Sequence, residues 1–354
     1  MTTNGTDGTD DGAPAGIDAP QVTAWFVEHA PAVTPPLSFE LITGGHSNLT
    51  FRVTDAEDRR WVLRRPPLKQ VLATAHDMGR EHKIIAALGP TDVPVPPVVG
   101  LCTDPEVNGA PFYVMDFVDG TIVRDIGIAE KLTLEKRHTA GTSIVETLAR
   151  IHAVDVDAVG LGDLGKKEDY IARQLKRWYS QFEKSKTREI PVVDEVHDAL
   201  LAMIPEQGPA AIVHGDYRLD NCMIDDDGHV VAVLDWEICT LGDPLADVGL
   251  LLVYSPDAAE ASATGLPAPT SLPGFPSQAE LLAQYARISD RDLSQIDYYK
   301  AFGFWKLACI LEGVYARYAG GAMGDRGDAS SFDFFGQQVI AIAERARDAV
   351  ARVK

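Results

Sequence analysis

The sequence predicts an α+β protein in which a small antiparallel β-rich lobe precedes a larger, mainly helical one. Three observations predict it. Between residues 37 and 120, short runs rich in β-branched and aromatic residues are separated by turn residues, as in LTFRVT (49–54). From residue 130 onward the apolar spacing becomes helical: Ile144, Leu148 and Ile151 share a face, as do Ile171, Leu175, Trp178 and Phe182. A β island, AAIVHGD and then NCMIDDDGHVVAVLDWE, interrupts those helices at 210–237. The 354 residues also exceed what one small core covers, which favours two lobes.

In chain order, residues 1–20 hold four Asp and no Lys or Arg, with much Gly, Thr and Pro; they read as a disordered acidic tail. Residues 21–120 form the N-lobe. VTAWFVEHA (22–30) is a short helix closed by Pro31, and LSFELIT, LTFRVT and RWVLRR are strands, the first two joined as a hairpin through GGHSN. GREHKIIAALG (79–89) is an amphipathic helix with a closing glycine, and PPVVGLCTD and PFYVMDFVDG are two further strands, the latter leading into a hinge at 112–120. Residues 121–354 form the helical C-lobe, with helices at 192–204, 278–288, 294–318 and 332–352 and a hairpin turned at Asp227-Gly228. The Pro/Ala/Ser-rich stretch 255–277 reads as a loop.

Composition narrows the function. Net charge −20 opposes unspecific nucleic-acid binding, which needs a basic surface to displace counterions, but suits a cationic substrate or plain solubility. Four distant cysteines without a CxxC pair suggest neither a zinc site nor a disulfide framework and fit a reducing cytoplasm. No apolar run approaches the ~20 residues that span a bilayer, and the N-terminus lacks the basic and apolar regions of a secretory signal. The oligomeric state stays open.

The chemistry concentrates in HGDYRLDN (214–221) and VLDWE (233–237). A hairpin between them brings Asn221 and Asp235 together, two oxygen ligands of the kind Mg²⁺ takes alongside phosphate oxygens and water. Asp216, five residues before Asn221, is then placed to accept a hydroxyl proton, the division of labour of phosphoryl transfer. The spacing H-x-D-x-x-x-x-N followed by a strand-terminal Asp resembles the protein-kinase-like superfamily. Within it, VHGDYRLDNCMI…VVAVLDWE…GDPLADVG is similar to the aminoglycoside phosphotransferase/choline kinase branch, and to the subgroup related to phosphotransferase domains fused to acyl-CoA dehydrogenases.

The resemblance covers roughly residues 35–320 and implies a two-lobed protein-kinase-like fold that uses ATP and Mg²⁺. It implies that Asp216 and Arg218 are catalytic and that Asn221 and Asp235 hold the metal. It places TGGHSNLTFRV where the glycine-rich loop belongs, so that Gly44, Gly45, Ser47 and Asn48 cover the phosphates, although the stretch is not GxGxxG. Arg64 stands at the phosphate-gripping lysine position, Glu81 at that of its helix partner, and the backbone of Asp116–Val118 at the adenine hinge. His214 and Asp247 are read as holding the loop, while for Asp243 and Asp247 capping of the helix PLADVGLLLVY is an equally good reading.

GLGDLG (160–165) matches GxGxxG, but no buried strand precedes it, so it reads as a connector between helices. Phe302, Phe304, Trp305, Phe332, Phe334 and Phe335 read as helix packing, and Glu312 with Arg317 as an ion-paired or solvated pair. The resulting expectation is transfer of the γ-phosphoryl group of Mg·ATP to a hydroxyl of a small molecule, aminoglycoside-like or another hydroxylated metabolite. The alternative is a nucleotide-binding regulator without transfer activity, and a protein kinase stands third because D-F-G and A-P-E are missing.

Overall fold

Alternating burial along the predicted strands builds the first of two compact units, which divide the chain after Asp119. The computed structural model describes residues 13–42, 48–68, 77–265, 268–319 and 329–353. In the first unit, helix α1 (Ala19–His29) precedes strands β1 (Ser38–Leu41), β2 (Leu49–Thr54) and β3 (Arg60–Arg65). Helix α2 (Met78–Leu88), strand β4 (Val98–Cys102), the one-turn helix α3 (Pro105–Asn108) and strand β5 (Phe112–Asp116) complete it. The strands form one sheet in the order β1-β2-β3-β5-β4, each neighbouring pair antiparallel.

Period-two alternation puts Phe51, Val53, Leu63, Phe112 and Val114 on one face, all fully buried beneath α1. Trp25 and Phe26 of α1 meet Phe112 and Trp61 edge to face. Each of the two phenylalanines contributes roughly 1.5–3 kcal/mol by burial. Asp18 caps α1, accepting from Gln21 N–H at 3.2 Å, and its own N–H reaches Asn108 Oδ1 at 2.9 Å. The helix therefore starts at Ala19, inside the stretch read as tail; residues 1–12 lie outside the described residues.

The second unit starts with α4 (Ile126–Glu130), α5 (Leu134–Ala153), α6 (Tyr170–Ser185) and α7 (Pro191–Ala202). Four short strands follow, β6 (Ala211–Val213), β7 (Cys222–Ile224), β8 (Val230–Val233) and β9 (Thr240–Gly242), and then α8 (Leu245–Val253), α9 (Ala258–Thr264), α10 (Gln278–Ile288), α11 (Ile296–Ala319) and α12 (Ala329–Val350). β6 pairs with β9, and β7 with β8, both antiparallel. Thr121 exchanges both backbone hydrogen bonds with Ile224, at 2.7 and 2.9 Å, which ties the incoming chain to β7. α11 is the central element, and its Tyr298, Phe302, Phe304 and Trp305 are buried in the main core with Leu175, Phe182 and Val193. α8 crosses α11 so closely that a Cβ on Gly249 would stand 2.4 Å from the Tyr299 carbonyl.

Most predicted elements appear within a residue or two of their expected bounds. GLGDLG is the connector between α5 and α6 that its context predicts. α3, α4, α9 and β9 were not expected; each is three to seven residues long, too short to show a period. The 255–277 stretch is not all loop, since it carries α9. Glu312 does not pair with Arg317. It is fully buried, accepts from the Thr187 N–H and hydroxyl at 3.0 Å, and stands 3.3 Å from Arg188. Positions five apart do not share a helix face, which is why the intrahelical pairing fails. Phe334 is 52% exposed and so is not the packing residue expected. Cys102, Cys222, Cys239 and Cys309 are free thiols and buried. Among the described residues no helix is long and apolar enough to cross a membrane.

Candidate active site

HGDYRLDN leaves β6 and enters β7 through a single 3₁₀ turn at Leu219–Asn221, so Asp216 and Asn221 sit on one tight loop. Gly215 permits the bend with φ +86, in the left-handed region. Asp247, on the first turn of α8, accepts the N–H groups of His214 and Gly215 at 2.7 and 2.9 Å. Asp247 is thus a loop holder and not a helix cap. Asp243 holds the α8 start, taking the Leu245 N–H at 3.1 Å and the Tyr299 hydroxyl at 2.6 Å.

His214 is fully buried and joins the two halves of the site. Its Nε2 donates to the Leu234 carbonyl at 2.9 Å, and its Nδ1 accepts the Asp216 N–H at 3.3 Å. The two bonds together place the ring proton on Nε2. Trp236, also fully buried, lies 4.8 Å from the His214 ring and donates to the Val233 carbonyl at 3.0 Å. Burying a Trp of this kind contributes about 4–6 kcal/mol and locks the chain after β8.

The Asn221 carboxamide donates Nδ2 to the Asp216 backbone oxygen at 2.8 Å and to its carboxylate at 3.1 Å. Its amide oxygen is the atom left to meet a cation. Cys222 pairs with Val233, and Leu234 N–H bonds the Asn221 carbonyl at 2.9 Å, so Asp235 follows directly from the position that faces Asn221. Asp235 adopts φ +66, a conformation a non-glycine residue holds at a cost of roughly 1–3 kcal/mol. Among the described residues no three His, Cys, Asp or Glu side chains form a ready-made metal cage. One carboxylate and one amide oxygen at adjoining positions fit a hard divalent cation that takes its other ligands from phosphate and water.

Arg218 Nε forms ion pairs with Asp220 at 3.0 Å and Asp216 at 3.5 Å, and its guanidinium lies 5.0 Å from the Tyr254 ring centroid. Burial works against the charge, but Tyr254, Asp216, Asp220 and Asp235 together push the Arg218 pKa up. Sequence reasoning missed Asp220, whose carboxyl burial pushes up against the pull of Arg218. It also missed Lys306, a buried cation donating to the Gly215 carbonyl at 2.6 Å.

In the first unit Arg64, on β3, bonds Glu81 of α2 at 2.8 Å, with side chains 14% and 2% exposed. This pair forms as predicted, and Tyr113, opposite Arg64 in the sheet, is buried next to it; burial and then Glu81 push its hydroxyl pKa up. Asn48 is buried at the start of β2, while Gly44, Gly45 and Ser47 lie outside the described residues. Along the expected hinge, the Asp116 N–H is taken by the Pro97 carbonyl at 2.8 Å and the Phe117 N–H by the Arg60 carbonyl at 3.2 Å. Val118 is the one of the three whose N–H meets no backbone carbonyl among the described residues.

Residues 38–288 match the Phosphotransferase enzyme family. The chain is 36% identical over 288 residues to acyl-CoA dehydrogenase family member 10 of Mus musculus, covering 80% of this chain and 27% of that protein. It therefore spans about a quarter of that relative's length. A solved structure from Ralstonia eutropha, assigned to the aminoglycoside phosphotransferases, is 31% identical with a TM-score of 0.79, covering 95% of this chain and 99% of that one. The aminoglycoside phosphotransferase APH(4)-Ia, solved with AMP-PNP and hygromycin B, shares the fold at 14% identity and a TM-score of 0.61, over 94% and 100% of the two chains. With the Asp216–Asn221 loop, the Asp235 turn and the kinase-like α+β fold all in place, the chain belongs to the phosphotransferase enzyme family.

Proposed function

We propose that this protein transfers the γ-phosphoryl group of ATP, as its Mg²⁺ complex, to a hydroxyl of a small molecule. The observation that carries the reading is the Asp216 carboxylate. It is partly exposed, oriented by Asn221, and set on a loop whose backbone Asp247, His214 and Lys306 all hold. A base fixed in this way accepts the acceptor's proton as the new P–O bond forms. Arg218, beside it, offsets charge on the transferring group. Asn221 and Asp235 would hold Mg²⁺, which supplies charge neutralisation at the phosphates when bound. The Arg64–Glu81 pair and the Val118 N–H are suited to the phosphates and the base of the nucleotide. An intact Asp216/Asn221/Asp235 set favours transfer over a purely regulatory role.

The acceptor follows from assay. ADP release should be measured with ATP and Mg²⁺ against aminoglycosides, choline and ethanolamine, sugars, and hydroxyacyl compounds, with Asp216→Ala in parallel. Acceptor-dependent turnover that disappears in the variant is the expected result. Tight nucleotide binding with no turnover on any acceptor class would favour the regulator reading instead.

A further inference from the structure

Lys306 is buried in the middle of α11, 4% exposed, and in the chemistry just described it is assigned neither proton transfer nor metal binding. A lysine so placed loses the hydration of its ammonium group, and burial pulls its pKa down. Packing alone would favour Leu or Met at such a site. The Lys306 surroundings give a reason for the charge. Its Nζ donates to the Gly215 carbonyl at 2.6 Å and lies 5.4 Å from the centre of the Trp178 ring. Asp216 and Asp247 are the carboxylates whose charges act on it favourably, and Arg177 is the cation that opposes them.

The Gly215 carbonyl belongs to the peptide unit that joins Gly215 to Asp216. The other polar end of that unit, the Asp216 N–H, bonds His214 Nδ1. Lys306 and His214 thus grip the two ends of one peptide plane, while Asp247 takes the N–H of the unit before it. Rotation of that plane would swing the Asp216 side chain, and Gly215, without a Cβ and at φ +86, resists such rotation least. Asn221 bonds the next carbonyl along, that of Asp216.

Resting on the phosphotransfer reading above, we propose that Lys306 is a positioning residue: by holding the Gly215 carbonyl against α11 it fixes the peptide plane that aims the Asp216 carboxylate at the acceptor hydroxyl. It acts through Asp216 and touches neither nucleotide nor acceptor. Loss of the grip should therefore lower kcat and leave nucleotide binding alone, because misplacing a reacting group by about 1 Å costs on the order of 100-fold in rate.

The test compares Lys306→Met, Lys306→Gln and Lys306→Arg with the wild type and Asp216→Ala. It reads kcat and the KM for ATP on whichever acceptor supports turnover, the thermal midpoint, and amide exchange across residues 212–222. The expected result for Lys306→Met is a kcat lower by about 100-fold, a KM for ATP within about threefold, and faster exchange at 214–218. Lys306→Gln keeps a donor without the charge and should fall between Met and the wild type; Lys306→Arg should recover the most. A folded Lys306→Met with wild-type kcat and unchanged exchange overturns the proposal. If Lys306→Met does not fold, Lys306→Gln carries the same decision. A wild type with no turnover on any acceptor and no difference from Asp216→Ala would sink the phosphotransfer reading, and exchange would then decide the clamp alone.

Discussion

His152 stands behind Asp247: its Nε2 lies 3.5 Å from the carboxylate oxygen that also receives the His214 N–H. Both side chains are about 1% exposed. Burial holds the His152 pKa below its ordinary value, so the folded protein resists a proton there that the unfolded chain accepts. Burial alone would raise the Asp247 pKa, but His152, His214 and the Gly215 N–H hold it below the usual carboxylate range. Each depressed value makes stability fall as pH falls. The His152 contribution should set in below about pH 6.5 and the Asp247 contribution below about pH 4, each at no more than about 1.4 kcal/mol per pH unit. Thermal midpoints measured from pH 7.5 to 3.5 should show both steps, and His152→Gln should remove the upper one. An identical profile in the variant would place the proton uptake elsewhere.

Asp216→Ala should keep nucleotide affinity and lower kcat by about 10²–10⁴-fold, the usual contribution of a positioned base. Asp235→Ala should instead weaken Mg·ATP binding. Titrating ATP with and without Mg²⁺ separates them, since only Asp235→Ala should lose the benefit of the ion. Unaltered metal dependence in that variant would contradict the metal role.

Arg64 and Glu81 bury opposite charges 2.8 Å apart. Glu81→Ala should cost about 3–5 kcal/mol of stability, because it removes the carboxylate paired with a cation only 14% exposed. Arg64→Lys keeps the charge but gives up the guanidinium's flat fork, so it should weaken nucleotide binding more than folding. Calorimetric unfolding and nucleotide titration on the same samples check both halves.

Gly249→Ala should destabilise the second unit by about 3 kcal/mol or more, since the added Cβ meets main chain of α11, which cannot move aside as a side chain can. Gly109→Ala is a useful contrast: no atom stands within 4 Å of its added Cβ, leaving only the strain of φ +68, about 1–2 kcal/mol. A Gly249→Ala midpoint above that of Gly109→Ala would show that α8 and α11 separate at little cost.

The loop geometry was legible because Asp216 and Asn221 are five residues apart on one short segment, and because Asp227-Gly228 fixes the hairpin that carries Asp235. Arg64 and Glu81 were singled out through the family resemblance, which puts a cation on β3 and its carboxylate partner on α2, and the two side chains do meet. Lys306 was not, because its partner is a backbone carbonyl 91 positions away and no side-chain pattern marks it. Glu312 misled for the same reason: its true partners, Thr187 and Arg188, sit 125 and 124 positions back, past α7. Which backbone N–H groups along 116–118 are already spent was not legible, since that depends on where Pro97 and Arg60 lie across the sheet.

All four thiols are shut away, and burial pushes the pKa values of Cys102, Cys222 and Cys309 up, Cys222 to about 12. Thiolate is the form that reacts with iodoacetamide, so in the native state none of the three should be alkylated at an appreciable rate. Each carbamidomethyl group added in a timed pulse then records one opening event. Cys102 belongs to the first unit and the others to the second, so one peptide digest would time the two openings separately, without an added probe.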